Sequence, residues 1–368
     1  MEDTIGRRVL ACIAKLDPER THAEIAASIQ MTRDAFSRSV NDQRSFSSLE
    51  IALLADELGA DLHWLITGDE DPNRVVFAAR HSFDPVTMRR TIPSIEEDRR
   101  TLDDICLAYM QAYLDEPAIA PELPSSPTEI REILGDDFVR PFIERLEFRL
   151  GIDAVRLMDL TTAYSFTLCG QPVIAVPAEG NWFHENWSLA HELGHLVLGH
   201  HESCAEPCVS DVHEAAANRF TAELLMPAER MQTIDWEQIS NESLAAHVWD
   251  LGVSTKALCT RLNGMGIRNE LVEHWSTQAT QRLLRWHCPS IQGEVDQITV
   301  RMEQAAQRHF SHSLQERHIK KIATGELGKD TLAWMMEVHA DRLEVDVPNG
   351  DSELSGNALA SALGFATF

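Results

Sequence analysis

The sequence predicts a mostly helical α+β protein with one small β-sheet. Three observations predict it: apolar residues at helical spacing through the first 70 positions, a β-rich run Gly170-Gln-Pro-Val-Ile-Ala-Val-Pro177 bounded by breakers, and helical patterning over most of the remainder. The expectation is therefore an all-α N-terminal domain, a central domain in which helices surround the sheet, and a helical C-terminal region.

A chain of 368 residues suggests two or three domains with room for a sizeable core. The 32 Lys and Arg against 58 Asp and Glu give a formal net charge of −26, too acidic for a protein that coats nucleic acid nonspecifically, though a local DNA-reading surface is compatible with it. The longest uncharged stretch, Leu160 to Ala178, contains Gly170, Gln171, Pro172 and Pro177 and is a poor membrane span. Lys15 and Asp17 interrupt the apolar run at the N-terminus, which does not read as a signal peptide. Seven cysteines, an odd number, argue for reduced thiols over a disulfide framework. A cytoplasmic protein without membrane association is expected.

In order along the chain, Thr21 and Glu24 form a capping-box pair ahead of a helix with Ala23, Ile25, Ala26 and Ile29 at helical spacing. A turn at Gln30-Met31-Thr32 leads into a second helix from Arg33 to Val40, and Ser47 or Ser48 caps a third that runs through Leu58 and stops at Gly59. Two short helices joined by a tight turn and braced by a third make a helix-turn-helix pattern. Residues 1–70 are assigned to this domain, and residues 71–128 to a connector with a helix around Ile95 to Leu114 and a linker containing Pro117, Pro121, Pro124 and Pro127. The run Gly170 to Pro177 suits an edge strand because prolines flank it. Helices follow from about Trp187 to Gly199 and from about Val212 to Leu225. The central domain is placed at 129–270 and the helical C-terminal region at 271–368, with a loosely held tail from Pro348.

His191-Glu192-Leu193-Gly194-His195 is an HExxH motif on a helix. At 3.6 residues per turn the two histidines project from one face and can grip one Zn²⁺, while Glu192 can act as general base on a water beside the metal. Leu189, Leu193, Leu196 and Val197 give that helix an apolar face. A catalytic zinc keeps three protein ligands and one open position. Glu214, 19 residues after His195 on the next helix, is the favoured third ligand, with Asn218 one turn later able to hold a ligand histidine from outside. The rival is His201, whose spacing suits the extended metzincin motif. That motif needs Gly three residues after its second His, where this chain has Leu198, with Gly199 one position late.

Ser188-Leu-Ala-His191-Glu-Leu-Gly-His195-Leu196 together with Glu214-Ala-Ala-Ala-Asn218-Arg-Phe220-Thr-Ala222-Glu-Leu224-Leu-Met226-Pro227 resembles the ImmA/IrrE family of zinc metallopeptidases. Leu244-Ala245, Leu251-Gly-Val-Ser254, Ala257-Leu258 and Arg261-Leu262 resemble the helical element that closes that peptidase domain, so the likeness spans roughly residues 150 to 268. It implies a cytoplasmic endopeptidase that cuts helix-turn-helix repressors to release stress or mobile-element genes. It also implies Zn²⁺, with Mn²⁺ able to substitute, at His191, His195 and Glu214, and Glu192 as the catalytic residue. Two departures stand out. His184-Glu-Asn-Trp187 replaces the basic residues and Phe that many members carry before the metal helix, and the loop after it carries His200, His201, Cys204 and Cys208. Those four could build a second, structural zinc site, but their spacing matches no standard knuckle and a polar loop with reduced thiols is the simpler reading. Tyr164, His184, His213 and His247 are candidates for an oxyanion donor.

The N-terminal stretch resembles the Xre family of helix-turn-helix domains, through Glu24-Ile-Ala26, Arg33 to Val40, Ser48-Leu49, Leu53 to Gly59 and Trp64-Leu-Ile-Thr-Gly68. Thr32, Arg33, Ser37 and Arg38 take the positions that would meet a major groove. Through residue 69 there are 7 Lys and Arg against 12 Asp and Glu, weak electrostatic footing for DNA. A dimerising module, which would make the protein a homodimer, and a module that docks a repressor are the alternatives for residues 21–50. Three functions follow for the whole chain: a zinc endopeptidase acting on a partner repressor, a DNA-binding regulator whose peptidase-like domain is sensory or degenerate, and the toxin of a toxin–antitoxin pair.

Overall fold

The computed structural model describes residues 4–16, 20–58, 60, 62–68, 78–79, 82–84, 89–91, 95–113, 115–200, 211–288 and 296–345. The chain divides into two compact units, Met1–Arg74 and Val75–Phe368. The molecule is mostly helical with a small sheet, as the sequence predicts.

In the N-terminal unit, α1 (Ile5–Leu16), α2 (His22–Ser28), α3 (Arg33–Val40), α4 (Ser48–Leu58) and α5 (Leu62–Thr67) enclose Val9, Ile25, Phe36, Leu54 and Leu65. Local signals set the helix starts. Thr21 Oγ1 accepts the Glu24 N–H, and Glu24 Oε2 accepts the Thr21 N–H at 2.8 Å. Ser47 and Glu50 repeat that exchange ahead of α4. Between α2 and α3 the chain turns at Gln30, whose φ is 60°. Gly6 permits the contact of α1 with the end of α3, since a Cβ there would lie 2.5 Å from the Val40 carbonyl oxygen. Gly59 lies outside the described residues.

In the second unit, β1 (Ala78–Ala79) precedes a two-stranded ribbon of β2 (Ser82–Asp84) and β3 (Arg89–Thr91), then α6 (Ile95–Tyr113), α7 (Pro127–Leu134) and α8 (Phe142–Arg145). The strands β4 (Asp153–Leu157), β5 (Tyr164–Leu168) and β6 (Gln171–Pro177) form a sheet with β1 in the order β1-β5-β6-β4. β6 pairs antiparallel with β5 and parallel with β4. The edge position expected for β6 is therefore overturned: it lies between two strands. Helices cover both faces of the sheet, so its run Val173-Ile-Ala-Val176 is buried throughout, and the prolines that suggested an edge sit at its two ends, where a missing N–H spares the middle of the ladder. Cys169 and Gly170, at φ 50° and 79°, make the two-residue β5–β6 turn, and Ala118 O leaves no room for a Cβ on Gly170.

The remaining helices are α9 (Trp182–Val197), α10 (Asp211–Leu225), α11 (Ala228–Gln232), α12 (Asn241–Leu251), α13 (Thr255–Gly264), α14 (Glu270–Ser276), α15 (Thr280–His287), α16 (Gln297–Ala305), α17 (His312–Ala323) and α18 (Asp330–Met336). On one face of the sheet Ala154, Ile174 and Val176 pack with Leu189 and Leu193 of α9. On the other, Val155, Leu157, Val173 and Ala175 pack with Ile105 and Tyr109 of α6, Leu314 of α17 and Leu332 of α18. Apolar residues on both sides of position 270 enter one core: Val272, Trp275, Leu283, Leu284 and Ile298 join Leu244, Val248 and Leu258. No helix among the described residues is long and apolar enough to cross a membrane.

Candidate metal centre

α9 begins at Trp182, five residues before the expected start, because Asn181 caps it by accepting the His184 N–H. From there two turns lead to His191 and His195, which are 1% and 3% exposed on the face turned to α10. Gly194 lets the two helices approach: a Cβ there would lie 3.1 Å from the Phe220 ring and 3.4 Å from the Ala217 Cα. This contact carries Glu214, on the first turn of α10, to the two imidazoles.

The three donors converge. His191 Nε2 and His195 Nε2 are 3.1 Å apart, His191 Nε2 is 3.4 Å from Glu214 Oε2, and His195 Nε2 is 3.2 Å from Glu214 Oε1. Ligand bonds of about 2.0–2.1 Å at tetrahedral angles separate ligand atoms by about 3.3 Å, so these residues fit a small tetrahedral cation. Two imidazole nitrogens and a carboxylate oxygen, all buried, are also the donor chemistry such an ion takes.

Glu192 is fully buried and held by β5: the Ser165 hydroxyl donates to Oε2 at 2.6 Å, while Oε1 has no hydrogen-bond partner. Burial pushes the Glu192 carboxyl above its ordinary value, and the nearby imidazoles and Ser165 offset this only in part. Glu214 moves the other way. Burial raises it, but hydrogen bonds from His191 and His195 and their charges outweigh that and hold it well below the usual carboxylate range. Burial also disfavours the His195 cation, yet the hydrogen bond to Glu214 and the charges of Glu192 and Glu214 raise its pKa. The two glutamates are thus driven apart, one toward holding a proton and one toward staying ionised.

Around this group the placement differs from expectation. Asn218 is exposed on α10 and hydrogen-bonds neither histidine, so the outer-support role expected for it is not met: four residues beyond Glu214 its side chain has turned to solvent. Support for His195 comes instead from His200, whose Nδ1 lies 2.9 Å from His195 Nδ1 and whose ring stacks on His213 at 4.1 Å. His201, Cys204 and Cys208 lie outside the described residues. Among the oxyanion candidates, Tyr164 donates to Asp98 Oδ2 at 2.7 Å and packs on the far face of the sheet. His184 is half-buried beside Glu179, and His247 leans on Trp236. His213 is linked to the histidine pair through His200. Ser165 escaped the sequence reading because nothing local ties a serine on a strand to a glutamate 27 residues later.

Neither the curated proteins nor the solved structures contain a match to this chain. Residues 147–263, the stretch that carries β4 through α13 with His191, His195 and Glu214, match the family model of the IrrE N-terminal-like domain, Peptidase_M78, and this part of the chain is a metallopeptidase-type domain.

Proposed function

We propose that the central domain is a zinc endopeptidase that cleaves a partner protein, with His191, His195 and Glu214 as metal ligands and Glu192 as the catalytic residue. The observation that carries this is the convergence of three buried donors beside a glutamate with one oxygen bonded and the other without a partner. Bound at the two Nε2 atoms and Glu214, zinc supplies the Lewis acidity that activates water near neutral pH and polarises a peptide carbonyl. The chain's own residues do the rest. Ser165 holds Oε2, Glu192 accepts the proton at Oε1, and the same atom returns it to the leaving amine. The raised Glu192 pKa suits a group that must hold a proton between those steps. Mn²⁺ is expected to substitute for zinc.

The substrate class rests on the likeness of the sequence blocks around α9 and α10 to peptidases that cut helix-turn-helix repressors, and a role in stress or mobile-element control is part of the same proposal. Incubation of the purified chain and Zn²⁺ or Mn²⁺ with a panel of such repressors, beside Glu192→Gln, tests it. Cleavage by the parent protein alone is expected; absence of any Glu192-dependent cleavage rejects the reading.

A second reading has its own support. Thr32, Arg33, Ser37 and Arg38 are all exposed at the start and on the outer face of α3. In a DNA-binding regulator those side chains meet a major groove, and Arg33→Ala and Arg38→Ala weaken salt-dependent binding to DNA near the protein's own promoter while Glu192→Gln does not.

A further inference from the structure

A polar cavity of about 250 Å³ lies between the first turns of α9, strand β4, α8 and the end of α16. Its ionisable walls are mostly basic: Arg140, Arg156, Arg301, Arg308 and His309 line it with Glu144 and Glu185, and Arg140 is paired with Asp250 and Arg156 with Glu185. That balance runs against the chain as a whole, whose net charge is −26.

Arg301 is the unusual member. It is only 9% exposed, its guanidinium sits 4.0 Å from the Trp182 ring centroid and 5.4 Å from that of Trp249, and Nη2 donates to the Val139 carbonyl at 2.8 Å. Nη1 has no hydrogen-bond partner, and neither has the buried Trp182 Nε1 beside it. No carboxylate among the described residues pairs with Arg301. Glu185 is spent on Arg156, which grips both its oxygens at 2.7 and 2.8 Å. Buried charges are ordinarily paired and buried donors bonded, because leaving either alone in a low-dielectric interior is costly. Here the chain buries a cation against the Trp182 ring and gives it no paired carboxylate, leaving Glu185 and Glu144 to act on it only at longer range.

We propose that this cavity binds a small oxyanion, a phosphate or a carboxylate group, with Arg301 as its anchor. The volume is below the roughly 300 Å³ at which drug-sized ligand pockets begin, so the occupant is an inorganic ion or a short metabolite bearing that group. Its planar fork of donors suits either oxyanion. Arg301 stands on α16, whereas Trp182, Glu185 and Asn186 stand on the first turns of the helix that carries His191, so an anion here bridges the C-terminal helices to the start of the metal helix.

Calorimetric titration of the full chain with potassium phosphate and, separately, potassium succinate, against potassium chloride at matched ionic strength, tests this without metal or peptide cleavage. Saturable heat with one or both oxyanions and none with chloride is expected; phosphate alone assigns a phosphate site and succinate alone a carboxylate site. Arg301→Gln is expected to weaken binding at least tenfold. Because Arg301 also packs Trp182, Gln304→Glu at the exposed rim is the second variant: it adds a negative charge without removing a side-chain contact, and should weaken binding several-fold with the melting temperature in chloride unchanged. Absence of saturable binding by either oxyanion, or binding equally strong in both variants, overturns the proposal.

Discussion

The Ser165 hydroxyl donates a 2.6 Å hydrogen bond to Oε2 of Glu192 and so ties strand β5 to the helix that carries both histidines. Both residues are fully buried, and the second Glu192 oxygen has no partner. One oxygen is fixed and the other is left for chemistry, which restrains the carboxyl without blocking it.

Ser165→Ala is therefore expected to lower peptide hydrolysis by about 10- to 100-fold, the usual scale for losing a group that orients a site residue. Metal content should stay at one ion per chain, because Ser165 is not one of the three donors. In a Glu192→Gln background the same substitution should add little, since residues that act as a unit are not additive. Equal losses in both backgrounds would show that Ser165 acts elsewhere.

Metal retention depends on Glu214. Glu214→Ala leaves the His191 and His195 nitrogens facing each other at 3.1 Å with no anionic donor, and the purified variant should carry well under one ion per chain. A ligand that binds only the folded state stabilises it by about 2.7 kcal/mol at 100 times its dissociation constant. Chelator should accordingly lower the melting temperature of the parent protein and leave Glu214→Ala unmoved. A chelator-sensitive variant with full metal content would remove Glu214 from the ligand set.

His200 is expected to act through His195. With Nε2 given to a cation, His195 carries its proton on Nδ1 and donates it to His200 Nδ1 across 2.9 Å. His200→Ala should weaken metal affinity by about 10- to 100-fold with the fold intact, whereas Asn218→Ala, an exposed change, should leave it within about twofold. Competition against a fluorescent chelator separates the two, and equal affinities for the parent and His200→Ala would deny the support role.

Much of this site was legible because its decisive spacing is local. A separation of four puts His191 and His195 on a shared helix face whatever the rest of the chain does, and the Thr21/Glu24 cap is equally self-contained. What failed depended on distant neighbours. The prolines of β6 look like edge markers until helices are known to cover both faces of the sheet. The early start of α9 was hidden because His184-Glu185-Asn186 carries no apolar stripe, and Glu185 is there to meet Arg156 on β4. Asn218 is one turn from Glu214 in sequence terms, but Ala217 and Thr221 take the buried face of α10 and Asn218 is exposed.

Asp153 gives the second unit a pH dependence of its own. It lies at the start of β4, where Tyr109 donates to Oδ2 at 3.0 Å and Ser313 to Oδ1 at 3.2 Å. Burial pushes its carboxyl from 3.8 up to about 6, with the Glu147 charge adding and the hydroxyl hydrogen bonds opposing. Between about pH 4 and 6 the folded protein then holds a proton that the unfolded chain, at an ordinary carboxylate value, has released. The unfolded state binds fewer protons in that window, so this group's contribution is greatest below it and is lost as pH rises through it. Asp153→Asn keeps an acceptor for Tyr109 and does not titrate. Its unfolding free energy relative to the parent, from urea titration, should rise from about pH 4 to 6 and level off above, by up to about 3 kcal/mol for a shift of roughly two units. A difference that stays constant from pH 5 to 8 would show that Asp153 folds with its proton already lost.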